Sequence, residues 1–167
     1  MAVGRTDTTI NRLRRALGPA LRRALHVYWR FARGLTVGVR GVVIDAGGKV
    51  FLVQHSYVAG WHLPGGGVEP GETVVAALAR ELAEEGNIEI VGTPPLHGVF
   101  LNRAVSNRDH IAVFVVRVFR QERSPQPNGE IIDHGFFALD ALPADTTPGT
   151  RRRLAEALEG APIAAKW

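Results

Sequence analysis

The chain has 167 residues, 46% hydrophobic and 22% charged, the profile of one globular domain with room for an appendage rather than of a disordered chain. Its net charge of +4 is a compound figure: residues 1–40 hold nine Arg against the single acid Asp7, a balance of +8, while residues 41–167 sum to −4. An acidic domain carrying a basic N-terminal arm is the reading. With no Cys, a disulfide scaffold, a thiolate zinc site and a thiol nucleophile are all excluded.

The longest apolar runs, about six residues, fall far short of the roughly 20 needed to cross a bilayer. Arg12, Arg14, Arg15, Arg22 and Arg23 interrupt every candidate signal-peptide core, whereas an Arg-rich, acid-poor organellar leader stays compatible despite the lack of Ser in residues 1–40. The expected location is cytoplasmic, with peripheral attachment to a membrane as the alternative.

From Thr9 to Arg33, Leu13, Ala16, Leu17, Ala20, Leu21, Ala24, Leu25 and Tyr28 recur at helical spacing with Arg between them, which predicts a basic amphipathic helix kinked at Pro19. Residues 35–44 and 50–54 are rich in β-branched side chains and flank the glycine turn Asp45–Lys49, so they read as two paired strands. A loop from His55 to Trp61 leads into HLPGGGVEPGET, whose glycines and prolines forbid regular structure. Residues 73–85 then read as a helix with Val75, Leu78, Ala79 and Leu82 as its apolar stripe, stopped by Gly86 and Asn87. Short strands are expected at 88–91 and 96–102, a long one at 110–119 and a last one near 131–138. A terminal helix starting at Pro148 ends at Gly160. Strands, a helix, more strands and a final helix define an α+β chain, with a mixed sheet sandwiched between helices.

The helix at 73–85 places Glu81, Glu84 and Glu85 at i, i+3 and i+4, close together on one face that lies roughly 115° from the apolar stripe at 100° per residue. Three carboxylates so placed repel one another, and a divalent cation with a taste for hard oxygen ligands, Mg²⁺ or Mn²⁺, removes the repulsion. An isolated cluster of this kind is more often a solvated acidic face. Here the surroundings matter: Gly66, Glu72, Arg80, Glu81, Leu82, Glu84, Glu85 and Ile88 stand at the spacings of the Nudix box, and the chain resembles the Nudix hydrolase family. One place departs from the pattern, with Asn87 where the family has Gly. The helix has to end there through a left-handed residue, a conformation that Asn tolerates best after Gly. The segment Trp61–Gly66 and the stretch Gly135–Asp140 are also similar to the family, so the resemblance covers about residues 35–160.

That resemblance implies a Nudix-type α/β/α sandwich over residues 35–160, preceded by the arm at 1–34 and followed by a tail at 161–167. It implies Glu81, Glu84 and Glu85 as ligands of Mg²⁺ or Mn²⁺, with the Gly66 carbonyl nearby, and an ion pair between Glu72 and Arg80. The general base is expected at Glu81 or Glu85, with Glu130 as the second choice and Asp133 and Asp109 behind it. The implied activity is a pyrophosphohydrolase acting on a nucleoside diphosphate linked to another moiety, such as a nucleoside triphosphate or an ADP-ribose-like compound. Its products are a nucleoside monophosphate and a phosphorylated remainder. The alternative is a nucleotide-binding sensor or interaction module without hydrolysis.

Substrate contacts rest on strand alternation and ring chemistry. Arg40 shares a face with Thr36, Gly38, Val42 and Ile44 and is a candidate phosphate ligand, while Trp61 and Phe100 are candidate base-stacking surfaces that compete with a role in the core. His55, His62, His97, His110 and His134 show no metal-ligand spacing and read as loop or strand-end residues. Three readings stay open for the arm: packing on its own domain or a second copy as a homodimer, a membrane surface, and nucleic acid as the least favoured.

Overall fold

In the computed structural model, Tyr28, residues 34–126 and residues 129–167 are described. The chain divides into two compact units, Met1–Leu35 and Thr36–Trp167. The expected kinked helix of the arm, and its readings as membrane, dimer or nucleic-acid contact, lie outside the described residues except for Tyr28, which is helical and exposed.

The second unit is built on β1 (Thr36–Val43), β2 (Val50–His55), β3 (Trp61–His62), α1 (Val74–Gly86), β4 (Glu89–Ile90), β5 (Leu96–Leu101), β6 (Asp109–Val116), β7 (Phe119–Arg120), β8 (Ile131–Phe137), a 3₁₀ turn at Leu139–Ala141 and α2 (Pro148–Leu158). β1 pairs in parallel with β6, and β5 lies antiparallel on the other side of β6, giving a mixed sheet in the order β1-β6-β5. A second, antiparallel sheet runs β3-β2-β8, and β4 with β7 forms a two-stranded ribbon.

Strand alternation divides the interior into two layers. Val39 and Val43 of β1 join Ala77, Leu78 and Leu82 of α1 in one cluster, while Val42 and Ile44 turn the other way and join Leu154 of α2 in a second. An α+β sandwich with a mixed sheet and a helix on each side is the result, as the pattern of elements predicted.

Several boundaries differ from the sequence reading for identifiable reasons. The single strand expected at 110–119 is two, because the chain leaves β6 after Val116 so that Phe119 and Arg120 can pair with Ile90 and Glu89. Trp61 and His62, expected in a loop, pair with Gln54 and Val53. In α1 the buried residues are Ala77, Leu78, Leu82, Glu85 and Gly86, so the inward face is turned toward the C-terminal acids and Ala79 is only half-buried. The last residues dock on the domain: Leu101 N–H donates to Ala165 O at 3.1 Å, and Trp167 N–H returns to Leu101 O at 3.1 Å.

Candidate active site

The glycine-rich loop is held as a backbone partner of β1. Val39 N–H donates to Gly66 O at 2.8 Å, Gly41 N–H to Pro64 O at 2.9 Å, and Val68 N–H to Val37 O at 2.9 Å. Gly65 takes φ +134, and a Cβ there would collide with the Val39 carbonyl. A Cβ on Gly66 would enter the carboxylate of Glu81, so glycine at this place lets those oxygens lie against the loop backbone. Arg40 Nη1 donates to Leu63 O at 3.0 Å and also to Gly65 O. Its guanidinium therefore clamps the loop as well as standing near the acids.

Thr73 starts α1, its hydroxyl accepting from Ala76 N–H at 3.1 Å, and Asn87 ends it at φ 49, ψ 34. The departure from the family pattern is thus accommodated by a left-handed Asn, as expected. Between these ends Arg80 grips Glu72 through two hydrogen bonds, Nε to Oε1 at 3.1 Å and Nη2 to Oε2 at 3.2 Å. The same guanidinium reaches Gly67 O at 3.1 Å, Glu81 at 2.8 Å and Glu84 at 3.4 Å. Loop and helix are tied together by one side chain, a bidentate geometry that only Arg supplies. The Glu72 carboxyl is held below its ordinary range, first by Arg80 and then by the Glu69 N–H.

The three box carboxylates occupy different surroundings. Glu84 is open to solvent, Glu81 is half-buried, and Glu85 is 5% exposed, with Gly65 N–H donating to its Oε2 at 2.7 Å. Glu85 therefore does not lie on the flank of the helix: the turn of α1 carries it inward. Burial pushes its carboxyl up to about 7, against the opposing pull of the Gly65 N–H and Arg40.

His55, read from the sequence as a strand-end residue, is buried against this carboxylate, with Nε2 3.7 Å from Glu85 Oε1. Neither of its ring nitrogens has a hydrogen-bond partner, a cost of about 1–3 kcal/mol for a buried polar group. Burial first, then Arg40 and His62, lower its pKa to about 4, so the ring is neutral at pH 7. Glu130 joins the pair from the segment before β8: one ligand atom from each of His55, Glu85 and Glu130 lies within 4.8 Å of the others. Tyr57 donates to Glu130 Oε1 at 3.0 Å.

The remaining sequence candidates fall elsewhere. Trp61 is buried edge-on against Phe137 at 4.8 Å, and Phe100 is fully buried with the Arg153 guanidinium 3.7 Å over its ring. Both rings belong to the core, and Phe100 has no face left for a base. Asp109 accepts from Thr36 at 2.6 Å and Asn102 at 2.8 Å, and Asp133 accepts from the His134 N–H at 2.8 Å. No polar contact joins either acid to the carboxylates of α1 among the described residues.

An α/β/α sandwich whose glycine loop is laced to an acidic helix defines the class of domain. Residues 34–158 match the family described as the NUDIX domain, and the chain belongs to the Nudix hydrolase family, whose members generally work with a divalent metal. An RNA pyrophosphohydrolase of Legionella pneumophila (strain Corby) is 38% identical over 64 residues, 35% of this chain and 35% of that protein. The crystal structure of a MutT Nudix hydrolase from Burkholderia pseudomallei superposes with a TM-score of 0.61 at 29% identity, over 71% of this chain and 95% of that one. An ADP-ribose pyrophosphatase from Streptococcus suis shares the fold, with a TM-score of 0.58 at 23% identity over 78% of this chain and 97% of that one. The chain spans only about a third of the length of the first curated relatives it matches. No helix among the described residues is long and apolar enough to cross a membrane.

Proposed function

We propose that this protein is a divalent-metal-dependent pyrophosphohydrolase. Its substrate is a nucleoside diphosphate linked to another moiety, as in a nucleoside triphosphate or an ADP-ribose-like compound, and hydrolysis yields a nucleoside monophosphate and a phosphorylated remainder. The observation that carries this reading is the lacing of the Gly66 loop to α1: Arg80 bonded to Glu72, Gly67 and Glu81, and the Gly65 N–H bonded to Glu85. It holds the loop backbone against the turn of α1 that carries the three carboxylates.

The donor set fits Mg²⁺ or Mn²⁺, since hard oxygen atoms from Glu81, Glu84, Glu85 and the Gly66 carbonyl are what these cations take. When bound, the cation neutralises the diphosphate and acidifies a water. The chain's own residues supply position and proton transfer. Arg80 and Glu72 hold the loop against the helix, and Arg40 fixes the turn before Gly66 while adding positive charge where a phosphate approaches. Glu85 is one candidate in the box to take a proton from the attacking water. Glu81 is the alternative in the box, and Glu130 is the second choice outside it.

The test is hydrolysis of a panel of nucleoside triphosphates, ADP-ribose and capped dinucleotides with Mg²⁺ or Mn²⁺ supplied. Turnover on at least one class, abolished by chelation and reduced about a hundredfold or more in Glu84→Gln, is expected for a residue that supports charge neutralisation in the transition state. Equal behaviour of the wild type and Glu84→Gln across the panel overturns it.

A further inference from the structure

A nucleotide substrate needs a surface for its base, and neither ring expected to supply one is accessible: Trp61 and Phe100 are both buried in the core. Among the described residues of the second unit, Tyr57 is the one exposed side chain of the Phe, Tyr and Trp types, at 69%. A ring so open to water is ordinarily loose, but this one is held from several sides. Its hydroxyl donates to Glu130 Oε1 at 3.0 Å, and its ring leans on that of the buried His55, with centroids 5.1 Å apart and planes at 39°. The preceding residue is sewn to the segment that carries Glu130, with Ser56 N–H donating to Glu130 O at 2.8 Å and Ser56 Oγ to Gly129 O at 2.8 Å. His55 and Glu130 brace part of the ring, and the remainder faces solvent.

We propose that Tyr57 is the stacking platform for the nucleobase of the substrate, and so the residue that makes this protein prefer a nucleotide to the same phosphates without a base. This rests on the nucleotide reading given above. His55 links the platform to the acidic helix, touching the Tyr57 ring on one side and standing 3.7 Å from Glu85 Oε1 on the other. Tyr57 is therefore two side-chain contacts from the carboxylates of α1, the gap that a ribose bridges between a base and its phosphate. Charge sorts the two ends of the substrate. The carboxylates of Glu130 and Glu85 act on Tyr57, and they repel a bare phosphate but not a neutral base. Arg40, bonded to the Gly65 carbonyl, adds positive charge at the loop where the phosphates belong. A ring held in place before binding loses little freedom on stacking. The hydroxyl proton of Tyr57 is committed to Glu130, so the open part of the ring offers a π-face, which every base can use. Tyr57 thus selects for the presence of a base and only weakly for its identity.

The experiment compares the nucleotide turned over best with its base-free counterpart, ribose 5-triphosphate for a triphosphate or 5′,5′-diribosyl diphosphate for an ADP-ribose-like substrate. The ratio of the two kcat/KM values should fall about five- to a hundredfold in Tyr57→Ala, the loss of one base–aromatic stack, chiefly through KM. It should stay within about twofold of the wild type in Tyr57→Phe and Tyr57→Trp, which keep a ring. A role confined to holding Glu130 would instead lower both substrates alike in Tyr57→Ala and Tyr57→Phe. An unmoved ratio in Tyr57→Ala, or one that falls as far in Tyr57→Phe, overturns the platform and leaves the hydrolase reading standing. No turnover of any nucleotide by the wild type overturns both. Proton NMR gives a second readout: the base resonances of AMP should move upfield on binding to the wild type and to Tyr57→Phe but not to Tyr57→Ala. Bound AMP without that shift in the wild type overturns the stacking.

Discussion

Among the described residues, two buried groups of titratable side chains differ in how closely they are paired. Under α2, Arg153 is fully buried and donates to Glu156 at 2.6 Å, Ala164 N–H donates to the same carboxylate at 3.0 Å, and His97 stands 3.3 Å from its other oxygen. The Nε and Nη1 of Arg153 have no hydrogen-bond partner, and the guanidinium faces aromatic rings instead, with Phe100 at 3.7 Å and Trp167 at 5.7 Å. At the end of α1, Glu85 and His55 are almost as deeply buried but do not complete each other: 3.7 Å separates them, the imidazole has no hydrogen bond, and both groups are shifted toward their uncharged forms. A buried charge that is paired, hydrogen-bonded and covered holds the fold together. Glu85 and His55, which make no direct bond to each other, carry the cost of their burial instead.

Breaking the closed node should have the largest effect on stability. Arg153→Ala leaves Glu156 buried without its cation, a loss of about 3–5 kcal/mol for a broken buried pair. Urea unfolding at pH 7 reads it directly. The hydrolytic rate of the protein that remains folded should be unchanged, because Arg153 contacts Glu156, Phe100 and Trp167 rather than the carboxylates of α1.

The open site should respond in the reverse direction. Glu85 gives up its proton near 4.5 when unfolded and near 7 when folded. Between these values the unfolded chain binds fewer protons, so this group's contribution falls as pH rises and the full penalty is present above 7. His55, lowered from 6.5 to about 4, has the opposite dependence, its contribution being lost as pH falls through that window. Comparing Glu85→Gln with the wild type isolates the first effect. In chelator, Glu85→Gln should be about 2–3 kcal/mol more stable at pH 8, with the gain vanishing toward pH 4.5. A thermal-melt series across that range checks it, and a pH-independent difference would show that the Glu85 site is as closed as the Arg153 node. The variant keeps an oxygen for the Gly65 N–H, so lost hydrogen bonding does not confuse the result.

A smaller effect is expected from the covering of the closed node. Trp167 is half-buried, stacks edge-on toward Phe100 at 6.4 Å and anchors the tail, with Arg152 donating to its carbonyl at 2.7 Å. Trp167→Ala should cost about 1–2 kcal/mol, the range for burying part of a large apolar side chain. Its denaturant midpoint should fall well short of the shift seen in Arg153→Ala, while the pH dependence governed by Glu85 stays as in the wild type.

How much of this was legible before folding follows from the distance along the chain over which each contact acts. The three acids of α1, the Arg80–Glu72 pair and the Gly66 loop are within 20 residues of one another, so helical spacing and a motif suffice to place them. Inward turning of Glu85 was missed, because the stripe of Val75, Leu78, Ala79 and Leu82 points to one helix face and the packing of Ala77 and Gly86 selects a slightly different one. His55 gave no local signal at all. It meets Glu130 only because β2 pairs with β8, with a register irregularity between Gln54 and His55 that sets His55 opposite Ile131. Phe100 shows the converse: an aromatic on a strand reads as a stacking surface until the tail and α2 close over it.

Asn87 offers the finest comparison, between what a motif expects and what backbone physics requires. It is exposed, and it sits at φ 49, ψ 34, with its N–H donating to Ala83 O at 3.1 Å and the Ile88 N–H reaching Leu82 O at 3.0 Å. Those two bonds satisfy carbonyls at the end of α1 only while residue 87 is left-handed. A Cβ without a polar group is costly there, so Asn87→Ala should lose about 1 kcal/mol. Gly has no Cβ to strain, and Asn87→Gly should stay within about 0.5 kcal/mol of the wild type. Urea midpoints for the two variants measure the difference. Should Gly and Ala prove equally destabilising, the Asn87 side chain itself, and not its tolerance of the left-handed conformation, would be what ends the helix that carries Glu81, Glu84 and Glu85.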